Sequence, residues 1–176
     1  MEKKIKGTRA LTLSAVLCAL GVILLALGSL LQVLDLTMAV LASVLVIFCV
    51  IELGGKYPYL VFAVTALLSM ILVPYKTAPL TYLCFAGYYP ILKAILEGHL
   101  SRFWSWVLKI LSFNVALALV LYLAIAVFAV FAVPATWYYF LIPLLTPIFV
   151  VYDIALTRLI TAYLRKWRHR FGFLYK

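Results

Sequence analysis

The chain has 176 residues, of which 68% are apolar and 11% charged, and its mean hydropathy is +1.20. This composition excludes an ordinary soluble domain and indicates an integral membrane protein. Fifteen Lys and Arg residues against five Asp and Glu give a formal net charge of +10. Because the bases fall at the ends of apolar runs and in the tail, they are typical of a topology signal rather than of nucleic-acid binding.

Six apolar runs are long enough to cross a bilayer, which takes about twenty helical residues. In chain order the predicted spans are 10–31, 37–53, 57–73, 79–96, 104–133 and 137–164, followed by a basic tail, 165–176. Gly54, Gly55 and Lys56 end the second span, and Pro74 ends the third. Since the loops are short, we predict an all-α fold with one six-helix transmembrane domain covering residues 1–176.

The positions of the bases orient these spans. If the N-terminus is cytoplasmic, fourteen of the fifteen Lys and Arg residues lie on the inner side and only Lys76 lies outside. The positive-inside rule therefore predicts that both termini are cytoplasmic. The basic and aromatic tail, next to a membrane span, favours anionic lipid headgroups over RNA as its partner.

The sequence has few residues that could carry catalysis. The two histidines, His99 and His169, lie in predicted polar segments without the spacing of metal ligands, and the three cysteines lie in apolar runs without a CxxC pattern. A glycine-rich phosphate-binding loop is also missing from the sequence. We therefore predict a protein that is not an enzyme and needs no metal or cofactor.

Five charged residues fall in the cytoplasmic third of their predicted helices. They are Glu52, Lys93, Glu97, Lys109 and Asp153. A charge that faces lipid costs a few kcal/mol, so these side chains should face protein or water. Pairing of Lys93 or Lys109 with Asp153 or Glu52, which would hold the helices in register, is favoured over a docking surface or a proton path.

Polar and aromatic residues gather on the predicted outer side. They are Gln32, Asp35, Thr37, Tyr75, Lys76, Tyr82, Trp137, Tyr138 and Tyr139. Such a set suits the binding of a small amphipathic ligand. Taken singly, the same residues also fit helix caps and an ordinary interfacial aromatic belt.

The first span carries two alanines at a spacing that favours helix association. Ala15 and Ala19 lie four residues apart, so one flank of the cytoplasmic half of this helix is smooth. Small residues at this spacing let a second helix approach closely. That helix can belong to this chain or to a partner protein.

The six spans, the cytoplasmic termini and the Ala15-xxx-Ala19 pattern resemble the substrate-binding, or S, component of energy-coupling factor transporters. The segments ALGVILLALGSLLQVLDLTMAVLAS, IELGGKYPYL and FAGYYPILK are also similar to uncharacterised bacterial six-helix membrane proteins grouped near these components. The resemblance implies micronutrient or vitamin uptake across the bacterial cell membrane, with the ligand bound on the extracellular side. It also implies docking through Ala15 and Ala19 onto a transmembrane coupling subunit that works with two ATPase subunits.

Two other functions remain open. The size and the number of spans are also similar to those of the rod-shape-determining membrane proteins, which would make the chain a non-catalytic scaffold subunit. A lipid-handling membrane protein would instead use the basic inner residues to bind headgroups. The sequence does not identify a ligand.

Overall fold

The computed structural model describes residues 7–31, 34–126 and 136–167, with the side chains in these ranges except at 124–126, 136–142 and 167. These residues are helical and include no β-strand. The α-helices are α1 (Thr8–Leu31), α2 (Asp35–Glu52), α3 (Tyr57–Leu72), α4 (Thr77–Thr81), α5 (Tyr89–His99), α6 (Arg102–Ala126) and α7 (Thr136–Ala162). Two π-helical turns, Tyr82–Ala86 and Tyr163–Trp167, follow α4 and α7.

Four helical stretches are long and apolar enough to cross a membrane. They are Thr8–Leu31, Asp35–Glu52, Arg102–Leu123 and Pro143–Lys166. Helix α3 is also apolar but has only 16 residues. Large apolar side chains cover the outside of the bundle, among them Leu67 and Ile71 on α3. Since a soluble protein rarely exposes so much apolar surface, the fold is that of a helical membrane protein.

The fourth predicted span, 79–96, is not one continuous helix. Helix α4 passes into the first π-helical turn, in which Gly87 N donates a hydrogen bond to Tyr82 O at 2.8 Å. Helix α5 then begins at Tyr89, with Pro90 in its first turn, where a missing N–H costs no helical hydrogen bond. A Cβ atom on Gly87 would lie 2.6 Å from Phe62 Cδ2, so the close contact with α3 requires glycine.

The first half of the bundle is a close-packed core of α1, α2 and α3. Gly21 on α1 faces Thr65 on α3, and a Cβ atom on this glycine would lie 2.8 Å from Thr65 Cγ2. Gly28 makes a similar approach to Met38 on α2. Leu25, which lies between these two glycines along α1, is fully buried in the same core. Small residues therefore allow the backbones of these helices to come close together.

The second half joins α5, α6 and α7 to one face of α2 through an aromatic core. Phe113 on α6 stacks on Phe149 on α7, with 4.6 Å between the ring centroids and 11° between the planes. Tyr89 on α5 packs edge-on against Phe149 at 5.3 Å. Ile47 of α2 completes the buried cluster. Tyr89 connects this aromatic core to a charged residue, because its hydroxyl group donates a hydrogen bond to Asp153 Oδ1.

Candidate functional site

Four of the five inner charged residues form one cluster. Lys93 Nζ lies 2.5 Å from Asp153 Oδ1 and 2.9 Å from Glu97 Oε1. Lys109 Nζ lies 2.5 Å from Glu97 Oε1 and 3.2 Å from Asp153 Oδ2. Each ammonium group thus contacts both carboxylates. We call Lys93, Glu97, Lys109 and Asp153 the charge quartet; its formal charges sum to zero, and it connects α5, α6 and α7.

Three members of the quartet are almost completely buried. The side chains of Lys93, Lys109 and Asp153 are 2–3% exposed, whereas that of Glu97 is 44% exposed. Tyr89 OH donates a hydrogen bond to Asp153 Oδ1, and Lys93 Nζ donates one to Thr157 Oγ1 at 2.9 Å. Buried charges are tolerated only when they are paired and hydrogen-bonded, so these neutral groups complete the cluster.

Helical spacing explains how the cluster forms. Tyr89, Lys93 and Glu97 are four residues apart on α5, so their side chains lie on one helix face, and Asp153 and Thr157 have the same spacing on α7. Tyr89 and Thr157 are not among the site residues predicted from the sequence. A search for polar residues four positions from each buried charge would have found both.

Glu52, the fifth inner charged residue, makes a different contact. Its side chain is buried at the end of α2, where Glu52 Oε1 accepts a hydrogen bond from Tyr163 OH at 2.8 Å. The ring of Tyr163 also packs edge-on against Phe48, with 5.8 Å between centroids. Glu52 therefore links α2 to the π-helical turn after α7.

A cleft of about 480 Å³ opens beside the quartet. Three quartet residues and three other polar residues form part of its wall: Glu97, Lys109, Asp153, Arg102, Ser105 and Arg158. The two arginines are exposed, and neither makes an ion pair with the part of the chain that the structure describes. From the sequence, these arginines are predicted only to orient the spans. We call this space the basic cleft.

Two residues of the predicted outer site make hydrogen bonds within this chain. Asp35, the first residue of α2, accepts a hydrogen bond from Thr77 Oγ1 through its Oδ2 atom. Lys76 Nζ donates hydrogen bonds to Met70 O at 2.7 Å and Val73 O at 2.6 Å, and so satisfies carbonyl groups at the end of α3. Asp35 Oδ1 is buried and lacks a hydrogen-bond partner among the described residues.

The other predicted outer residues do not converge on one surface. Tyr82 is buried in the core, where its ring packs 6.1 Å from that of Phe62. Thr37 and Tyr75 are exposed, and the backbone of Tyr75 exchanges two 3.2 Å hydrogen bonds with Ser29 Oγ. Gln32 lies outside the described residues, as do the side chains of Trp137, Tyr138 and Tyr139.

Ala15 and Ala19 lie on the outside of the bundle. Both are exposed on α1, whereas their neighbours Ser14 and Cys18 are buried. Cys18 faces α3, where its thiol lies 3.8 Å from Val61 O. The two alanines thus form a smooth exposed strip that the described part of this chain does not cover.

Among the described residues, no three His, Cys, Asp or Glu side chains are grouped so that they could hold a metal ion. Comparison of the chain with protein-family models, with curated proteins and with solved structures finds no match.

Proposed function

We propose that the chain is the substrate-binding subunit of an energy-coupling factor type uptake transporter in a bacterial cell membrane. In this proposal the polypeptide crosses the membrane six times, with α4 and α5 together forming the fourth crossing. Both termini face the cytoplasm, which agrees with the distribution of Lys and Arg. The chain itself performs no catalysis and binds a micronutrient such as a vitamin on the extracellular side.

The exposed Ala15 and Ala19 strip is the observation that carries this proposal. Most exposed positions on α1 hold large apolar residues that suit contact with lipid, such as Leu11 and Ile23. A lipid-facing surface gains nothing from small residues, whereas a helix–helix interface does, because backbones can then approach closely. The strip therefore suits docking of a helix from a transmembrane coupling subunit, whose two ATPase subunits would supply the energy.

Asp35 supports a ligand site at the outer end. Its Oδ1 atom is buried without a hydrogen-bond partner among the described residues, and a buried carboxylate oxygen is stabilised when it accepts a hydrogen bond. A ligand with an N–H or O–H donor would provide one. Thr77 donates a hydrogen bond to Asp35. Its neighbour Lys76 would form the wall of the ligand site on the side of α3.

Copurification tests the docking surface. We expect a tagged chain from its own host to retain the coupling and ATPase subunits, and the Ala15→Leu/Ala19→Leu variant to lose them. Ala118→Leu is the matched control because Ala118 is an exposed alanine on α6. The proposal is wrong if the unmodified chain never retains an ATPase, or if the control loses it to the same extent.

Mass spectrometry of the purified chain tests the ligand site. We expect a small molecule to copurify with the unmodified chain and to be lost from Asp35→Asn. Thr12→Val is the control, since Thr12 is exposed on α1 and is not one of the predicted ligand-binding residues. Equal retention by Asp35→Asn and the unmodified chain would exclude Asp35 as a ligand-binding residue.

Lipid handling is the second candidate function, and the basic cleft favours it. The cleft has cationic residues on α6 and α7, the two helices that also expose apolar side chains such as Leu111 and Val151. A phospholipid could place its headgroup in such a cleft and its acyl chains along these helices. Transfer of labelled lipid between the leaflets of proteoliposomes containing the chain would test this function, and no transfer above protein-free liposomes would exclude it.

A further inference from the structure

The basic cleft has a local excess of positive charge. The quartet, three of whose residues line the cleft, is neutral as a whole, because two lysines contact two carboxylates. Arg102 and Arg158 line the same cleft and form no ion pair with any described residue. Two guanidinium charges at one opening repel each other, and they are stabilised when an anion lies between them.

The N-terminus of α6 adds to this positive potential. Helix α6 has 25 residues and begins at Arg102, so the positive end of its dipole coincides with an arginine. A cation is unfavourable at this end of a helix, whereas an anion is stabilised there by the dipole and by the free N–H groups of the first turn. The unfavourable position of Arg102 becomes favourable once an anion occupies the cleft.

Ser105 provides a separate indication of a ligand. The residue is only 4% exposed, yet it lines the cleft and its Oγ atom has no hydrogen-bond partner in the described ranges. A buried hydroxyl group without a partner costs free energy, and most such groups in proteins are satisfied. An acceptor oxygen in the cleft would satisfy Ser105.

We propose that the basic cleft is a binding site for a phosphoryl group, held by Arg102, Arg158 and Ser105. A phosphate monoester carries close to two negative charges at neutral pH, which matches the two unpaired guanidinium groups. Its oxygens accept paired hydrogen bonds from guanidinium and a further one from a hydroxyl group. The phosphoryl group comes from a phospholipid headgroup or from a soluble phosphate ester. This site is separate from the outer ligand site and does not require the proposed transport function.

Trp106 makes the proposal measurable because it also lines the cleft, with its ring centroid 5.3 Å from Lys109 Nζ. The full chain is purified in a neutral detergent with Trp104, Trp137 and Trp167 replaced by Phe, so that Trp106 alone reports binding. Dioctanoyl phosphatidic acid and glycerol 3-phosphate are the two probes, and dioctanoyl phosphatidylcholine is the control. We expect a saturable change in fluorescence with at least one phosphomonoester probe and none with phosphatidylcholine.

Substitutions test which residues hold the probe. We expect Arg102→Gln and Arg158→Gln each to weaken binding about ten-fold, as for loss of a charge-assisted hydrogen bond. Arg165→Gln is the matched control, since Arg165 is exposed in the π-helical turn after α7 and does not line the cleft. Circular dichroism checks that each variant is folded. If Arg102→Gln does not fold, Arg102→Lys, which keeps the charge but loses the planar fork, should show an intermediate loss of affinity.

Ser105→Ala distinguishes a ligand-binding role from a structural one. Without probe, this variant should be as stable as the parent or more stable, because it removes an unsatisfied hydroxyl group. With probe, it should bind about three-fold more weakly, since one neutral hydrogen bond is lost. Lower stability without probe together with unchanged affinity would contradict the role proposed for Ser105.

The two probes identify the source of the phosphoryl group. Saturation by phosphatidic acid alone supports a lipid headgroup, and saturation by glycerol 3-phosphate, alone or with phosphatidic acid, supports a site that a soluble ester can fill. The proposal is overturned if neither probe saturates, or if Arg165→Gln weakens binding as much as the two cleft variants do. The second result would mean that the probes respond to net surface charge.

Discussion

Helices α1 and α3 meet at Gly21 and Thr65, two small residues whose contact depends on shape. Helices α5, α6 and α7 meet instead at four charged side chains, three of which are buried. Both contacts hold together helices with apolar outer surfaces. In a membrane the lipid offers the same apolar environment as another helix, so burial of apolar side chains alone gives little reason to associate. Close backbone packing and polar pairing are the two forces that remain.

The two halves should therefore respond differently to substitution. The α1–α3 core should tolerate added volume poorly, because there is no space around Gly21 for a side chain. The quartet depends on balance, because removal of one charge leaves an opposite charge buried without compensation. Loss of a charge should therefore reduce stability most in the half that contains the quartet. Gain of volume should reduce stability most in the α1–α3 core.

Asp153→Asn should cause the largest loss of stability. Asp153 is the only buried carboxylate in the quartet, and its removal leaves Lys93 and Lys109 sharing the half-exposed Glu97. We expect the free energy of unfolding, measured by titration with sodium dodecyl sulfate in mixed micelles, to fall by about 3–5 kcal/mol.

A double variant provides the control for this prediction. Lys93→Met/Asp153→Asn removes one charge of each sign and leaves the 2.5 Å pair between Lys109 and Glu97. It should recover part of the stability that Asp153→Asn loses. If the double variant is no more stable than the single one, the quartet is not held by charge balance.

Gly21→Leu tests the packed half of the bundle. A Cβ atom at this position would already lie 2.8 Å from Thr65 Cγ2, so a leucine must push α1 and α3 apart. We expect the free energy of unfolding to fall by up to about 3 kcal/mol. Gly98→Leu is the control, because nothing described lies within 4 Å of its added Cβ atom, and leucine is the better helix former. Equal losses in both variants would mean that the space around Gly21 does not matter.

The positions of most helices could be predicted from the sequence, because long apolar runs and the glycines or prolines that end them are local signals. The prediction for Tyr82 shows that local signals do not determine which way a side chain faces. Its place near the start of the fourth apolar run predicts that Tyr82 lies close to the outer end of the bundle. Whether its side chain faces a ligand or another helix depends on how the π-helical turn packs against α3, and Tyr82 is buried there beside Phe62.

The inner charges illustrate a second limit. Counting residues along each helix predicts the depth of Lys93, Lys109 and Asp153 in the membrane, but it does not predict the direction in which each side chain points around its helix. Pairing depends on that direction and on which helices are neighbours. The sequence thus left Asp153 and Glu52 as equal partners for the lysines, and packing of α7 against α5 and α6 decides for Asp153.

Tyr89→Phe should have a smaller effect than either earlier substitution. It removes the hydroxyl group that donates to Asp153 Oδ1 but keeps the ring in the aromatic core. Lys93 and Lys109 still compensate the carboxylate, so we expect a loss of about 1.5 kcal/mol in the free energy of unfolding. Tyr122→Phe, at an exposed position on α6, is the control and should change nothing. No difference between the two variants would show that the hydroxyl group does not support the quartet.

Glu97→Gln should have the smallest effect on stability. The dependence of this effect on salt should distinguish the half-exposed Glu97 from the buried Asp153. The side chain of Glu97 is 44% exposed, so water screens its charge and already compensates part of its loss. We expect a loss of about 1 kcal/mol in low salt, decreasing at 1 M salt, where the Debye length is about 3 Å. The loss caused by Asp153→Asn should not change with salt, because ions do not reach a carboxylate that is 2% exposed. If salt decreases the loss of stability equally in Glu97→Gln and Asp153→Asn, the interior of the quartet is open to water. The geometry of the ion pairs, rather than their burial, would then hold α5, α6 and α7 together.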